Sequence, residues 1–579
     1  MKTTGTAFAL ALCAGLASTA TSAHAQVRSY DGTGNNVANP DWGANHAQLL
    51  REASGSHYAD GMWQMAGTAR PSARDISNVV GVQTAPLNTN SGNLSSMFWQ
   101  WGQFIDHDIS LTHTGSEFAP ITGSDPSDVL GPMIPFTRSA FDPATGSSLA
   151  TPRQQENSIS AFLDASMVYG SDSSRASTLR ANDGTGRLAT SGGGQFMPLN
   201  TAGLANANDT GQFADSELYA GGDIRANEVT GLAAMHTLFV REHNRLADEI
   251  STANPTMTGE QVFQQARAIV GGQIQAITYN EFLPALLGSA APSLADASYD
   301  ASVDASIANS FSTAAYRLGH TMLNSQYKMF DADGSEHAYG HVDLRDGFFN
   351  APEVLEPAGL DPIFRGLAWQ QANEMDTQVV DDVRNFLFGA PGAGGLDLLS
   401  MNIQRGRDHG LADYNTLRQD FGLAPITNFS DITSDPTLAA QLQSLYGNIN
   451  DIDPWIGLMA EDKLSGTAVG ETLAAIMADQ FTRLRDGDRF LFMFDSNIDA
   501  ALRDDIMGTT LAEIIMRNTD IGWLQDDVFR FIGEPIPAPA SLALVGLGGQ
   551  AATPRRRSKR TVTSRHPPGA GHNWASPFN

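Results

Sequence analysis

Apolar residues recur at helical spacing over long stretches of the chain, and residues 231–250 and 258–283 show this pattern most clearly. In the first stretch the repeating positions are Leu232, Met235, Leu238, Leu246 and Ile250. Thr258 and Gln261 have the spacing of a capping box, which predicts where the second helix begins. Alternating patterns typical of strands are sparse. The sequence therefore predicts a mainly α-helical fold with long irregular connections.

The pattern continues from Val27 to Ile536 without a long linker, an internal repeat or a block of charge. The chain has 579 residues, of which 41% are hydrophobic, enough to build a large core. Length alone would suggest several domains. Because nothing interrupts the pattern, we predict one large domain over residues 26–535.

The first 25 residues have the features of a secretory signal peptide. Lys2 precedes a short apolar run from Ala7 to Ala17, and the ending Ala23-His24-Ala25 predicts cleavage after Ala25. That run is shorter than the roughly 20 residues needed to span a bilayer. The only cysteine, Cys13, lies within it, so the mature chain cannot form a disulfide. We expect a protein that is secreted, at the cell surface or in the periplasm, with no transmembrane segment after cleavage.

Residues 536–579 have a different composition. A proline-rich lead is followed by a short apolar run, Leu542 to Leu547, and by a basic cluster from Arg555 to Arg560. One interpretation is a disordered tail. The other is a sorting signal, because the segment resembles bacterial PEP-CTERM sequences, although Ala538 stands where those have glutamate. The formal charge of the whole chain is −28, which argues against nucleic acid or an anionic membrane as a partner.

Residues 98–112, FWQWGQFIDHDISLT, place charged groups where a buried helix is expected. In a helix over 95–107, Gln103, Asp106 and His107 share one face at positions i, i+3 and i+4. Asp108 then points roughly 100° away, since a helix turns once every 3.6 residues. The pattern predicts two sites back to back on one helix.

Residues 158–171, SISAFLDASMVYGS, offer a partner for Asp108. In an extended loop Ser160, Asp164 and Ser166 would converge around the carbonyl of Phe162. Oxygen ligands of this kind suit calcium. The same residues are also common in ordinary turns, so both interpretations remain open.

Three further stretches combine polar and apolar residues in unusual ways. Arg225 and Glu228 stand at i, i+3 at an expected helix start, as a surface ion pair or as site residues. His320 lies in an apolar helix one turn after Arg317, as a core histidine or a ligand. Residues 396–415, LDLLSMNIQRGRDHGLADYN, are dense in polar groups, which requires an internal network or a polar ligand if they are buried.

Together these stretches resemble the animal-type haem peroxidases, a family that includes secreted bacterial members. The matching segments, in order, are WGQFIDHDIS, FLDASMVYGS, RANEVTGLAAMHTLFVREHNRLA, YRLGHTML, LDLLSMNIQRGRDHGL and QFTRLRDGDRF. The likeness covers roughly residues 29–530. It implies the large, mainly α-helical single-domain fold of those enzymes, with a cofactor derived from haem b and a bound calcium ion.

The resemblance also implies roles for particular residues. His107 matches the distal acid–base catalyst, Arg225 the distal arginine, and Gln103 the glutamine of the halide and water site. His320 matches the proximal iron ligand, and Asn402 the asparagine that accepts its other ring N–H. Arg405 and Arg317 match positions near the haem propionates.

The remaining implied roles concern covalent attachment and calcium. Asp106 and Glu228 match the two carboxylates that esterify haem methyl groups. Val229 follows Glu228 where one member of the family has a methionine that adds a sulfonium link, so two esters are the most we expect here. The implied calcium ligands are Asp108, Ser160, the Phe162 carbonyl, Asp164 and Ser166, with a serine at 160 where threonine is commoner.

The function implied is a secreted haem peroxidase, an oxidoreductase that reduces hydrogen peroxide and oxidises halide, pseudohalide or small organic donors. One alternative is a haem fatty-acid dioxygenase of the cyclooxygenase type. Those enzymes carry a radical-forming tyrosine three residues before the proximal histidine, where this chain has Arg317. The other alternative is a non-enzymatic adhesion or matrix protein. The intact set of His107, Arg225 and His320 argues against it, and the sequence contains no Arg-Gly-Asp triplet.

Overall fold

A computed structural model describes residues 27–85 and 87–533, and it confirms the mainly α-helical fold. The predicted signal peptide and the predicted tail lie outside the residues described. The α-helices are α1 Ala73–Val80, α2 Ser96–Ile109, α3 Ser166–Tyr169, α4 Ser173–Thr178, α5 Thr230–Ala253, α6 Gly259–Ile277, α7 Leu283–Leu287, α8 Asn309–Thr313, α9 Ala351–Ala358, α10 Asp361–Trp369, α11 Asp381–Arg384, α12 Leu398–Asp408, α13 Tyr414–Asp420, α14 Pro436–Tyr446, α15 Pro454–Ala460, α16 Glu471–Asp486, α17 Ala500–Met507 and α18 Leu511–Asn518.

Over the same residues, strands occur only as short antiparallel pairs. The pairs are β1 Thr114–Phe118 with β4 Thr137–Ser139, β2 Ile121–Thr122 with β3 Met133–Ile134, and β5 Gln326–Tyr327 with β6 Val342–Asp343. Short 3-10 helices connect other elements: Asp215–Glu217, Gly288–Ala290, Leu294–Asp296, Ala315–Thr321, Leu344–Asp346, Phe429–Asp431 and Ile449–Asp451. None of the helices in these two ranges is both long enough and apolar enough to cross a membrane.

The two central helices, α2 and α5, pack against each other in the core. Trp101 and Phe104 of α2 are fully buried, and both rings contact Phe239 of α5, at centroid distances of 5.9 and 5.2 Å. Truncating a buried aromatic of this kind costs about 3–5 kcal/mol. This packing holds α2 rigid, so the polar residues at its C-terminal end project from a fixed support.

Helix α6 begins as predicted, and the chain stays helical past the predicted boundary, through a π-helix and α7 to Leu287. Thr258 accepts the backbone N–H of Gln261, and the Gln261 side chain accepts the N–H of Thr258, which forms the capping box. Regular helix stops at Ile277, and residues Thr278–Phe282 form a π-helix. Such bulges often occur at functional sites. This one carries Phe282 onto Phe98 of α2, with stacked rings 4.7 Å apart.

The structure corrects two local predictions. Arg225 and Glu228 do not begin a helix, because α5 starts at Thr230 and both residues lie in the preceding turns. They are 1% exposed each, so they are not a surface pair either. The segment 160–166 is not extended: the Asp164 N–H donates to the Phe162 carbonyl at 2.8 Å, and Ala165 has a φ of 63°.

The polar residues around α12 form a buried network, one of the two possibilities left open by the sequence. Asp408 is fully buried and accepts hydrogen bonds from Arg138 (2.5 Å) and Arg405 (3.1 Å). Arg407 makes a bidentate pair with Asp453, at 2.9 and 2.6 Å. Since each buried charge has a partner, the network avoids the large cost of an isolated ion in the core.

Candidate active site

A cavity that opens to solvent, with about 830 Å³ of empty space, lies between α2, the turn before α5 and the 3-10 helix Ala315–Thr321. The cavity is lined by six of the nine residues predicted for catalysis and haem binding; Arg225, Asn402 and Arg405 are not part of its lining. Its polar lining residues are Gln103, Asp106, His107, Glu228, Arg317 and His320.

His107 is 2% exposed and is surrounded by carboxyl oxygens that lie just beyond hydrogen-bond distance. Its Nδ1 is 3.7 Å from Oδ1 of Asp223, and its Nε2 is 3.6 Å from Oε2 of Glu228. Burial and the nearby Arg225 guanidinium hold the pKa of His107 well below its ordinary value. The imidazole is therefore neutral at physiological pH and able to accept a proton.

Arg225 is fixed by a carboxylate that the sequence analysis missed. Asp223 accepts hydrogen bonds from Nε of Arg225 at 2.8 Å and from its Nη2 at 3.0 Å. Nη2 also donates to the Ser110 carbonyl at 2.9 Å, and Nη1 lies 3.3 Å from Oδ2 of Asp106. The only signal in the sequence was an acid two residues before the arginine, which is too common a pattern to identify a partner.

Glu228 forms the wall of the cavity next to His107 and is 1% exposed. Gln103 donates to its Oε2 at 2.7 Å. Burial raises the pKa of Glu228 to about 8, against the opposing effects of Arg225 and Gln103, with smaller additions from Asp209 and Asp106. At neutral pH this side chain is mainly an uncharged carboxylic acid.

Asp106 lines the same wall, and 24% of its side chain is exposed. Burial of its carboxyl group raises the pKa of Asp106 to about 6, although Arg225 and Arg317 act in the opposite direction. Glu228 thus presents a mainly uncharged carboxyl group to the cavity next to His107, whereas Asp106 remains largely ionised at neutral pH. A neutral carboxyl such as that of Glu228 is compatible with an apolar ligand pressed against it.

His320 reaches the cavity from the 3-10 helix, where Arg317 precedes it by one 3-10 turn. The Asn402 amide lies against Nδ1 of His320, with Oδ1 at 3.2 Å and Nδ2 at 2.9 Å. Burial and then Arg317 lower the pKa of His320 to about 3. A neutral imidazole with one nitrogen held by an amide is the form in which histidine binds metals.

The two arginines predicted to lie near propionates have different positions. Arg317 lines the main cavity, and burial, then Arg405, lowers the pKa of Arg317 to about 9. Arg405 instead lines a smaller pocket of about 340 Å³, together with Thr114 and Asp209. Its guanidinium lies over the Phe136 ring, 4.3 Å from the ring centroid.

The side chains predicted to bind calcium converge directly behind His107, whereas the Phe162 carbonyl accepts the Asp164 N–H. Ser166 donates to Oδ1 of Asp108 at 2.7 Å, and Ser160 donates to Oδ2 of Asp164 at 2.9 Å. The two carboxylates repel each other, and after burial this is the largest cause that raises the pKa of Asp108 far above its ordinary value. A cation would relieve that repulsion. Within 27–85 and 87–533, no three His, Cys, Asp or Glu side chains come together as a metal site, and this set has only two.

Two aromatic residues that sequence reasoning missed also line the cavity, Trp99 and Tyr316. Among the residues described, no protein group hydrogen-bonds to the Trp99 Nε1, to the Tyr316 hydroxyl or to Oε1 of Glu228. Buried polar atoms without a protein partner usually bind water or a ligand. The cavity is therefore suited to a large, mostly apolar group with a few polar contacts.

Comparison with known proteins gives a consistent result. The model of the animal haem peroxidase family matches residues 27–529. Peroxinectin A of Dictyostelium discoideum is 35% identical over 87% of this chain and 96% of its own length. The solved structure of Peroxidase A from Dictyostelium discoideum has a TM-score of 0.80 and 34% identity, covering 87% of this chain and 99% of that one. A fatty acid alpha-dioxygenase from Arabidopsis thaliana, with a TM-score of 0.74 and 19% identity over 90% of this chain and 85% of its own, shares the fold alone.

Proposed function

The chain belongs to the animal haem peroxidase family and is a haem peroxidase, and we propose that it reduces hydrogen peroxide with His107 and Arg225 while oxidising halide, pseudohalide or small organic donors. One observation carries this assignment of roles. Two neutral histidines, the buried His107 and the partly buried His320, line one cavity but have different neighbours.

The residues present fit a haem group in this cavity. The lining is mainly apolar, and among the residues described three buried polar atoms of the lining, on Trp99, Tyr316 and Glu228, have no protein partner. His320 would bind the iron through Nε2, because its Nδ1 already faces Asn402. Arg317 would face a carboxylate of the group, whereas Arg405 lines the separate smaller pocket. When bound, the haem supplies an iron centre at which peroxide is reduced by two electrons.

In the same cavity, His107 would act as the acid–base catalyst. As a neutral imidazole it accepts a proton from one peroxide oxygen and returns it to the other as the O–O bond breaks. Arg225, held in place by Asp223, stabilises the negative charge that develops on the departing oxygen. Gln103, hydrogen-bonded to Glu228, would help bind a water molecule or a halide ion.

Asp106 and Glu228 are proposed to form ester links to haem methyl groups during exposure to peroxide. Their raised pKa values support this: Glu228 is mainly uncharged at neutral pH, and Asp106 is protonated more often than an ordinary aspartate, so both carboxyls lie against an apolar group at a lower cost. Val229 cannot add a sulfonium link, so two esters are the expected maximum.

Calcium is proposed to bind Asp108, Asp164, the two serine hydroxyls and the Phe162 carbonyl. The support is the convergence of these oxygens and the close approach of two buried carboxylates. Asp108 follows His107 directly on α2. A metal ion at this point would fix the end of the helix that carries the catalyst.

We also propose that the protein is exported. The support comes from the sequence alone, in the signal-peptide pattern of residues 1–25 and the absence of any cysteine after Cys13. Mass spectrometry of the protein from its native cells is expected to find Gln26 at the N-terminus. A chain that begins at Met1 would contradict export by this route.

A direct test of the function combines an absorption spectrum with a donor screen. Purified protein is expected to show a Soret band and to consume hydrogen peroxide with bromide, iodide, thiocyanate or a phenol. A protein that holds haem but turns over none of these donors would contradict the proposed donor class.

One observation favours a second candidate, a fatty-acid dioxygenase. Tyr316 lines the cavity four residues before His320, next to the position that Arg317 occupies. If this tyrosine supported dioxygenase chemistry, oxygen uptake with a long-chain fatty acid would depend on it. We expect no oxygen uptake by the wild type, and uptake abolished by Tyr316→Phe would favour the second candidate.

A further inference from the structure

The turn before Arg225 carries a buried carboxylate that takes no direct part in the proposed proton transfer. Asp223 is 3% exposed and accepts three hydrogen bonds from one residue: from the Arg225 backbone N–H at 2.8 Å, from Nε at 2.8 Å and from Nη2 at 3.0 Å. A bidentate carboxylate fixes both the position and the plane of a guanidinium. We propose that Asp223 is the positioning residue of the peroxide site, which sets the orientation of Arg225 and, through charge, that of His107.

The second contact of Asp223 supports this assignment. The oxygen that receives Nε of Arg225 is also 3.7 Å from Nδ1 of His107. That separation is too long for a hydrogen bond, but once His107 has accepted a proton from peroxide the carboxylate would attract it strongly in this buried environment. In the ranges described, no protein group hydrogen-bonds to this Nδ1. One carboxylate therefore faces both groups that would act on peroxide.

The backbone around Asp223 is hydrogen-bonded to helix α3, which follows the proposed calcium-binding segment. The Asp223 N–H donates to the Met167 carbonyl at 3.2 Å, and Met167 follows Ser166. Gly222 lies so close to this helix that a Cβ would stand 2.3 Å from the Ser166 carbonyl oxygen, so only glycine fits there. Arg175 donates to the Gly221 carbonyl at 2.8 Å and secures the turn from the other side. Asp223 thus has a rigid support, as a positioning residue requires.

A purely structural role would be simpler, because any buried arginine needs a counter-charge. The two roles predict different results. A counter-charge stabilises the protein and retains haem, so its loss lowers both without changing the chemistry of each intact molecule. A positioning residue acts through Arg225, so its loss changes the peroxide reaction and adds nothing once Arg225 itself is altered.

The test compares Asp223→Asn, Arg225→Lys and the double variant, all as haem-loaded full-length protein. The exposed Asp504→Asn, on α17, is the matched control. Stopped-flow absorbance gives the rate constant with hydrogen peroxide per haem. A Soret titration with cyanide reports the distal geometry without turnover, and haem content and melting temperature report folding.

We expect Asp223→Asn to lower the peroxide rate constant by about 10–100-fold and to weaken cyanide binding, with haem content and the KM for a phenolic donor unchanged. The double variant is expected to be no slower than Arg225→Lys alone. Normal peroxide and cyanide reactions in Asp223→Asn would overturn the inference, as would multiplicative losses in the double variant. The inference rests on the proposed role of Arg225. That role fails separately if Arg225→Lys itself reacts as the wild type does.

Discussion

His107 is buried and His320 is partly buried; both are neutral and line one cavity, and yet they are held in opposite ways. His107 stands on a regular α-helix, with carboxyl oxygens of Asp223 and Glu228 at 3.7 and 3.6 Å and no hydrogen bond to either. His320 stands on a 3-10 helix with a neutral amide, Asn402, against its Nδ1. An imidazole beside acids can exchange a proton, whereas an imidazole fixed by an amide is prepared to bind metal.

The largest effect that separates the two histidines is expected from His320→Ala. Without the iron ligand the protein should lose most of its haem, since the cavity offers no other group placed as His320 is. The Soret absorbance relative to the absorbance at 280 nm measures this loss. The exposed His46→Gln is the control and should bind haem normally. Full haem content in His320→Ala would mean that the ligand is misassigned.

The companion variant His107→Ala should keep its haem and lose reactivity. General acid–base groups contribute about 10²–10⁴-fold, so the rate constant for the reaction with peroxide should fall by that factor. Stopped-flow absorbance at the Soret band gives this constant. A variant that loses haem as completely as His320→Ala does would remove the distinction between the two sides.

Covalent linkage should be confined to the wall that carries Asp106 and Glu228. Brief treatment of the wild type with small amounts of peroxide should raise the fraction of haem that stays with the chain under denaturing conditions. The double variant Asp106→Asn, Glu228→Gln should release all its haem whatever the treatment. Haem that remains attached in the double variant, or never attaches in the wild type after turnover, would return both carboxylates to a structural role.

Calcium should stabilise the His107 side. Asp108→Ala is expected to lower bound calcium and melting temperature together, because a ligand that binds only the folded state adds about 2.7 kcal/mol at a hundredfold excess over its Kd. Atomic emission analysis and thermal denaturation measure the two quantities. Active wild-type protein that contains no calcium would contradict the assignment.

The smallest effect concerns pH, and the two sides should respond in opposite senses in haem-free protein. The folded pKa of Glu228 is about 8 and its ordinary value 4.5, so between these values the folded state holds a proton that the unfolded chain releases. Its contribution to the free energy of unfolding therefore falls as pH rises through this window.

For His320 the folded pKa is about 3 and the ordinary value 6.5, so its contribution to the free energy of unfolding rises with pH between them.

Glu228→Gln removes the contribution of Glu228. The free energy of unfolding of this variant, minus that of the wild type, should therefore be about 1–2 kcal/mol higher at pH 8 than at pH 4.5. Urea denaturation at the two pH values measures this difference. If the stability difference between the variant and the wild type is the same at both pH values, Glu228 ionises normally in the folded chain.

Local signals in the sequence predicted the elements that carry their own periodicity or caps. The start of α6 followed from Thr258 and Gln261, and α5 followed from its apolar residues at helical spacing. The turn that holds Arg225 and Glu228 was wrongly predicted as a helix start, because its conformation depends on distant contacts. Only glycine fits at position 222, because a Cβ there would collide with the backbone of Ser166, more than 50 residues earlier in the chain.

The site residues were placed by resemblance, and the missed ones show what a linear pattern lacks. Asp223 is distinguished only by its three hydrogen bonds to Arg225, and Tyr316 only by its position in the cavity wall. Arg405, expected beside the same group as Arg317, lines a separate smaller pocket. Which side chains share a cavity is a property of packing, which sequence spacing alone does not contain.

The most direct test of the difference between the two histidines is rescue by free imidazole. His320→Gly and His107→Gly are each reconstituted with haem, and the Soret spectrum is recorded while imidazole is added. If His320 binds the iron, imidazole should restore the wild-type position of the Soret band in His320→Gly. In His107→Gly the rate constant with hydrogen peroxide should stay below that of the wild type. Restoration of the wild-type spectrum by imidazole in His107→Gly instead would contradict the account.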